Sequence, residues 1–193
     1  MKTITVLLGS LSEKSVNKAF AGALEKLADG RLRFDYLDIA ALPFYNDDLW
    51  NNPPDAVTAL KQRVEAADGV LIVTPEFNRS FPGLIKNALD WGSRPWGHNS
   101  WAGKPLAVVG ASPGNIGTAA GQGHLRSIVP VLGFIQMGQP EVYFTVKPGL
   151  IDDHGEVTDD QTRGFLVGFI EDFDRWIDLH GTRPALATAI AAE

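Results

Sequence analysis

The stretch Gly69-Val-Leu-Ile-Val-Thr-Pro-Glu-Phe-Asn-Arg-Ser-Phe-Pro-Gly-Leu-Ile-Lys-Asn-Ala-Leu-Asp-Trp91 decides how this chain folds. Val70 to Val73 is an unbroken apolar run rich in β-branched residues, the pattern of a strand buried on both faces. Leu84, Ile85, Ala88 and Leu89 then recur at helical spacing. Pro82, with its fixed φ and missing N–H, suits the first turn of that helix. Between strand and helix lies a polar loop with two prolines, longer than the ~2–6 residues usual for such a connection. In open α/β sheets, ligands bind outside the carboxyl ends of the strands. The loop from Pro75 to Gly83 is therefore read as a binding loop rather than a plain connection.

The rest of the chain repeats this unit. Ile4 to Leu8 is a first buried strand, followed by Gly9-Ser-Leu-Ser-Glu-Lys-Ser-Val-Asn17 and a helix with Phe20, Ala23, Leu24 and Leu27 on one face. Leu32 to Leu37 alternates as a second strand, and Asp38 to Pro54 is a long irregular connection. Val57, Leu60 and Val64 mark a second helix. Leu106 to Val109 is a fourth strand, ending in Gly110-Ala-Ser-Pro-Gly114, and Leu125, Ile128, Val129 and Leu132 mark a fourth helix. A short fifth strand is expected near Phe134–Met137, extended by Val142–Phe144. The last helix places Leu166, Phe169, Ile170, Phe173 and Ile177 on one face.

Strands alternating with helices imply an α/β, doubly wound parallel sheet of five strands, covered on both faces. No Gly-x-Gly-x-x-Gly follows the first strand, which argues against a dinucleotide-type start. The hydroxyl-rich first loop fits the flavodoxin-like order 2-1-3-4-5, which holds a mononucleotide at its switch point. Residues 1–181 are read as one domain and 182–193 as an alanine-rich tail.

The 193 residues carry a net charge of −6 and no cysteine. The charge argues against a nucleic-acid or anionic-membrane surface, and the missing thiols exclude disulfides and thiol catalysis. His98, His124, His154 and His180 show no ligand spacing, so no metal is expected. With no signal-like or membrane-length apolar run, the expectation is a soluble, cytoplasmic protein.

In the expected strand order, three loops meet. The first offers Ser10, Ser12, Ser15 and Asn17 ahead of a helix, where hydroxyl, amide and N–H groups can surround phosphate oxygens. Capping by Ser15 or Asn17 is the plainer reading, but it needs only one of them. The second supplies Pro75, Glu76, Phe77 and Asn78, with backbone groups for the edge of a flat heterocycle and Phe77 for its face. The third, Gly110-Ala-Ser-Pro-Gly114, matches the Gly-x-Ser-x-Gly nucleophile elbow of hydrolases. That rival meets an obstacle: the residue after the nucleophile must donate its N–H to the oxyanion hole, and Pro113 has none.

These residues resemble the NADPH-dependent FMN reductase family, which includes chromate and quinone reductases. The resemblance rests on Leu8-Gly-Ser-Leu with Ser15 and Asn17, on Thr74 to Trp91, on Gly103-Lys-Pro, on Gly110 to Gly114, and on Gln122-x-His124-Leu-Arg126. It covers roughly residues 3 to 180. It implies bound FMN and hydride transfer from NADPH or NADH to a small-molecule acceptor: a quinone, flavin, azo compound or metal oxyanion. It further implies that Ser10, Ser15 and Asn17 hold the FMN phosphate, that Pro75, Glu76, Phe77 and Asn78 line the isoalloxazine, and that Ser112 and Gly114 approach its pyrimidine side. A homodimer or homotetramer is the family habit. Two residues depart from the pattern. Ser12 stands where family members often have Arg, leaving Lys14 as the nearby cation, and Phe77 stands where Tyr is usual.

On this reading the flavin carries the chemistry and no catalytic side chain is required. Backbone N–H groups of Gly114 to Gly117, at the start of the fourth helix, are expected to stabilise charge on the reduced ring. Replacing Ser15 and Asn17 together by Ala is expected to release FMN without disturbing the fold. Glu76 is the one candidate for a side-chain acid or base, but the preferred reading is that it serves through its backbone, its carboxylate exposed. Arg126 is expected either to meet the NADPH phosphate or an acidic residue of a partner subunit, or to lie on a solvated helix face. Trp91, Trp96 and Trp101 border the site, as pocket, interface or core. The alternative from another class is a flavodoxin-type electron carrier, which would enclose the ring between aromatics.

Overall fold

The computed structural model describes residues 1–181; the tail from 182 to 193 lies outside the described residues. The strands are β1 (Lys2–Leu8), β2 (Leu32–Tyr36), β3 (Gly69–Val73), β4 (Pro105–Ser112), β5 (Ile135–Gln136) and β6 (Val142–Thr145). The helices are α1 (Val16–Leu27), α2 (Asp55–Ala66), α3 (Gly83–Gly92), α4 (Ala119–Ile128) and α5 (Asp160–His180). The order β2-β1-β3-β4-β5 is the expected one, every pairing is parallel, and the fifth position is split: β5 and β6 both pair with β4.

The split has a local cause. Gly138, Gln139 and Pro140 interrupt the apolar run, and Pro140 has no N–H for a ladder. β5 meets Pro105 and Leu106, whereas β6 pairs from Val109 to Ser112, further along β4.

Alternate residues of each strand face opposite sides, as the pleat requires. Ile4, Val6, Leu71, Val73, Ala107 and Val109 pack with α1 and α5. Leu7, Val70, Ile72, Leu106 and Val108 pack with α2, α3 and α4. The helical spacing in α5 delivers Leu166, Phe169, Ile170, Phe173 and Ile177 to the core; each such side chain contributes about 1.5–3 kcal/mol on burial. Phe173 is fully buried, and its truncation to Ala would cost about 3–5 kcal/mol.

The irregular Asp38–Pro54 connection is stitched to α3 by the buried Asn87. Its Nδ2 donates to the Pro43 carbonyl at 2.9 Å and its Oδ1 accepts from Tyr45 N–H at 2.8 Å. Trp91 and Trp101 are core residues: their indole N–H groups donate to Pro43 and Leu89 carbonyls. Trp96 is exposed, with the Arg94 guanidinium over its ring. Among the described residues, no helix is long and apolar enough to cross a membrane.

Candidate functional site

Strand register brings the three loops together. Leu8 pairs with Val73, and Val73 with Val109, so the chain leaves β1, β3 and β4 at one level. Gly9 N–H still donates to the Val73 carbonyl, and Thr74 N–H to that of Val109, each at 2.9 Å. The sheet thus hands the three segments directly to one rim. Two glycines make the approach feasible: a Cβ on Gly9 would lie 2.6 Å from the Ile85 side chain, and one on Gly110 would lie 2.2 Å from the Thr74 carbonyl oxygen.

In the first loop, Ser15 is the N-cap of α1, its Oγ accepting from Asn17 N–H at 3.2 Å. Among the described residues, the backbone N–H groups of Ser10, Leu11, Ser12, Glu13 and Lys14 have no protein partner. They cluster ahead of the positive end of a helix, which suits an anion. Asn17 also has a role inside the fold. Its side chain, 1% exposed, donates from Nδ2 to the Ala111 carbonyl and accepts at Oδ1 from Ala111 N–H, both at 2.8 Å. These two bonds fasten the start of α1 to β4 and leave one Nδ2 N–H uncommitted on a side chain that is almost wholly buried.

The second loop closes in a tight turn in which Phe77 and Ser80 exchange backbone hydrogen bonds. Asn78 and Arg79 take φ of 51° and 65°, the left-handed pair that such a turn needs. The turn lifts Phe77 to 55% exposure. Phe77 N–H is spent on the turn, while the N–H groups of Glu76, Asn78 and Arg79 have no protein partners among the described residues. Pro75 is buried and its carbonyl accepts from Thr74 Oγ1. Glu76 differs from expectation: its carboxylate is only 11% exposed and accepts from Gly121 N–H at 3.0 Å. A carboxylate there complements the first turn of α4.

In the third loop, Ser112 Oγ accepts from Gly114 N–H at 3.0 Å. Gly117 N–H donates to the Gly114 carbonyl at 3.0 Å. Of the four N–H groups from Gly114 to Gly117, those of Asn115 and Ile116 have no protein partners among the described residues. The segment also precedes the helix instead of opening it, since α4 begins at Ala119. Among the described residues, no histidine hydrogen-bonds Ser112, so the hydrolase elbow has no base.

The Gln122–Arg126 motif belongs to the frame. Gln122 Nε2 donates to Thr118 Oγ1 and to the Val142 carbonyl, and Arg126 donates to the Met137 and Val108 carbonyls. Arg126 is half-buried and bonded to these carbonyls, so it does not lie on a freely solvated helix face. His124 Nδ1 lies 3.2 Å from Ser80 Oγ, joining α4 to the second loop. Asn87 and Thr118 were not singled out from sequence; each is polar and buried, a signal that appears only once packing is known.

Comparison with known proteins bears on this arrangement. Residues 2–148 match the family described as NADPH-dependent FMN reductase. The chain is 46% identical over 174 residues to a 2-hydroxy-1,4-benzoquinone reductase from Burkholderia sp, covering 90% of this chain and 95% of that protein. It is 41% identical over 179 residues to a quinone reductase from Pseudomonas putida, covering 92% and 96%. Among solved structures, it superposes on the flavoenzyme NAD(P)H:(acceptor) oxidoreductase FerB from Paracoccus denitrificans with TM-score 0.92 and 48% identity, over 93% of this chain and 99% of that one. A flavodoxin from Pseudomonas aeruginosa shares the fold alone, with TM-score 0.53 at 16% identity, over 91% of this chain and 99% of that one.

Proposed function

Since the chain belongs to the NADPH-dependent FMN reductase family and is an NAD(P)H-dependent FMN/quinone reductase, we propose that it holds one FMN across its three loops and reduces quinones at the exposed ring face. The observation that carries the reading is the run of unpartnered backbone N–H groups from Ser10 to Lys14 ahead of α1. Such a run fits a phosphate dianion without requiring a lost Arg side chain.

FMN, when bound, supplies the capacity to accept a hydride from a nicotinamide and pass two electrons to an acceptor. The protein's share is binding and electrostatics. Ser10 and Ser12 offer hydroxyls beside the free N–H groups, and Ser15 fixes the helix start that orients them. Pro75 and Glu76 line one edge of the ring site, with Asn78 on the turn above. Phe77, raised by that turn, supplies an apolar face. On the third loop, Asn115 and Ile116 offer N–H groups toward the pyrimidine side, and Ser112 and Gly114 shape the backbone that presents them. Preorganised donors of this kind favour negative charge developing nearby. A single aromatic at the ring leaves room for a stacked nicotinamide, which favours the reductase over the electron carrier.

The test is direct. Purified protein should be yellow, and the released chromophore should have the mass of FMN. Anaerobic NADPH should bleach it within the mixing time, and a benzoquinone should restore the colour. A colourless protein that takes up no FMN, or bleaching that needs a second protein, would overturn the reading.

A further inference from the structure

Among the described residues, most cations of this acidic chain are occupied. Lys2, Lys26 and Lys86 hold carboxylates, and Lys61 and Lys104 hold backbone carbonyls. Lys14, Lys18 and Lys147 hold no protein partner among the described residues, and all three line one open groove of about 630 Å³ between α1 and the segment after β6. Its floor is apolar, made by Val16, Ala19 and Ile151, and Glu13 is the one carboxylate on its wall. Asp159 lies near enough to Lys147 to feel its charge, yet three ammonium groups still outnumber the carboxylates and leave a net positive mouth over a greasy bed. That pairing suits a flat heterocycle bearing phosphate.

We propose that this groove takes the adenosine 2′-phosphate end of NADPH and so sets the preference for NADPH over NADH. The inference rests on the reductase reading above. Continuity favours it: Ser15 and Pro113 line the groove and also belong to the first and third loops of the cofactor site. A dinucleotide with its nicotinamide at the ring would therefore run along protein surface into the groove. The adenine lies on the apolar floor, and the lysines meet the phosphate. NADH lacks that phosphate and gains nothing from them.

The experiment uses flavin-loaded protein and the double variant Lys18→Gln/Lys147→Gln, which leaves Lys14 in place beside the first loop. Titration calorimetry with 2′,5′-ADP should show binding to the wild type and about a tenfold loss in the variant, as two exposed charge pairs of a few-fold each imply. The KM for NADPH should rise by a similar factor, with the KM for NADH and the kcat nearly unchanged. No binding of 2′,5′-ADP by the wild type, or equal binding by both proteins, overturns the proposal. So does loss of FMN from the variant, which would assign the lysines to the flavin phosphate. Failure of NADPH to bleach wild-type flavin would sink the reductase reading, whereas the calorimetric comparison reads the groove independently of turnover.

Discussion

Asn17 and Ala111, separated by 94 positions, exchange two hydrogen bonds of 2.8 Å between the Asn amide and the Ala backbone, both buried. The pair fastens the start of α1 to the end of β4. Asn17→Ala strands a buried N–H and a buried carbonyl, each costing about 1–3 kcal/mol. We expect the variant to lose about 2–4 kcal/mol in urea unfolding. A change below about 1 kcal/mol would mean water replaces the amide there. Ser15→Ala removes only a cap, worth about 1 kcal/mol, and is the cleaner probe of phosphate holding. The double alanine variant cannot be expected to keep its fold undisturbed.

Gly110 is required by close approach. The ideal Cβ position lies 2.2 Å from the Thr74 carbonyl oxygen and 2.3 Å from Thr118 Oγ1. The carbonyl is backbone of the β3 exit and cannot swing away. Gly110→Ala should therefore cost more than about 3 kcal/mol or prevent soluble expression. Gly22→Ala, where nothing lies within 4 Å, serves as the control and should be neutral or stabilising.

Arg79 occupies φ of 65° in the turn that raises Phe77. Asn tolerates that region well, whereas Arg occupies it at a cost of about 1–2 kcal/mol. Its contact to Glu76, at 3.6 Å, involves a side chain 68% exposed and contributes little. Arg79→Gly should raise stability by about 0.5–1 kcal/mol, measured as a higher thermal midpoint. A lower midpoint would show that the ion pair outweighs the backbone strain.

What the sequence disclosed here was whatever local chemistry determines. Buried strands such as Val70–Val73, and the stripe from Leu166 to Ile177, follow from periodicity, and the strand order follows from the hydroxyl-rich loop and the alternation of elements. The direction of a polar side chain was not legible. Asn17, Glu76 and Arg126 each stand in the expected loop or helix, yet each is turned toward a backbone group brought near by the fold. A cap is readable within a few residues, whereas a bond across 94 positions depends on which strands become neighbours. The split of the fifth strand at Gly138–Pro140 was visible only as two apolar pieces whose shared partner had to be seen.

Asp159 caps α5, accepting from Thr162 N–H at 2.7 Å and from its hydroxyl at 2.6 Å. Those bonds, the hydroxyl's foremost, hold its carboxyl below the usual range, with Lys147 adding a smaller pull. A depressed folded pKa means stability that is present above the unfolded value near 4 and lost as pH falls through the folded value. Asp159→Asn keeps an acceptor but cannot titrate. Wild type should thus be the more stable at pH 7, with the gap closing below about pH 4. A gap independent of pH in matched urea titrations would place the effect in the cap geometry alone.

Glu76 sits in the second loop, and its carboxylate is committed to Gly121 N–H in the first turn of α4. If the loop serves bound FMN through its backbone, the side chain matters only as a fastener between the loop and the helix. Glu76→Gln keeps an acceptor and loses the charge favoured at a helix start, costing about 0.3–1 kcal/mol. Glu76→Ala leaves the buried N–H unpaired and costs about 1–3 kcal/mol. Flavin affinity should then follow the fastening: nearly unchanged in Gln and weakened several-fold in Ala, read by fluorescence quenching on FMN titration. Equal loss in both variants would point to the negative charge itself, acting on the flavin or on its reduction.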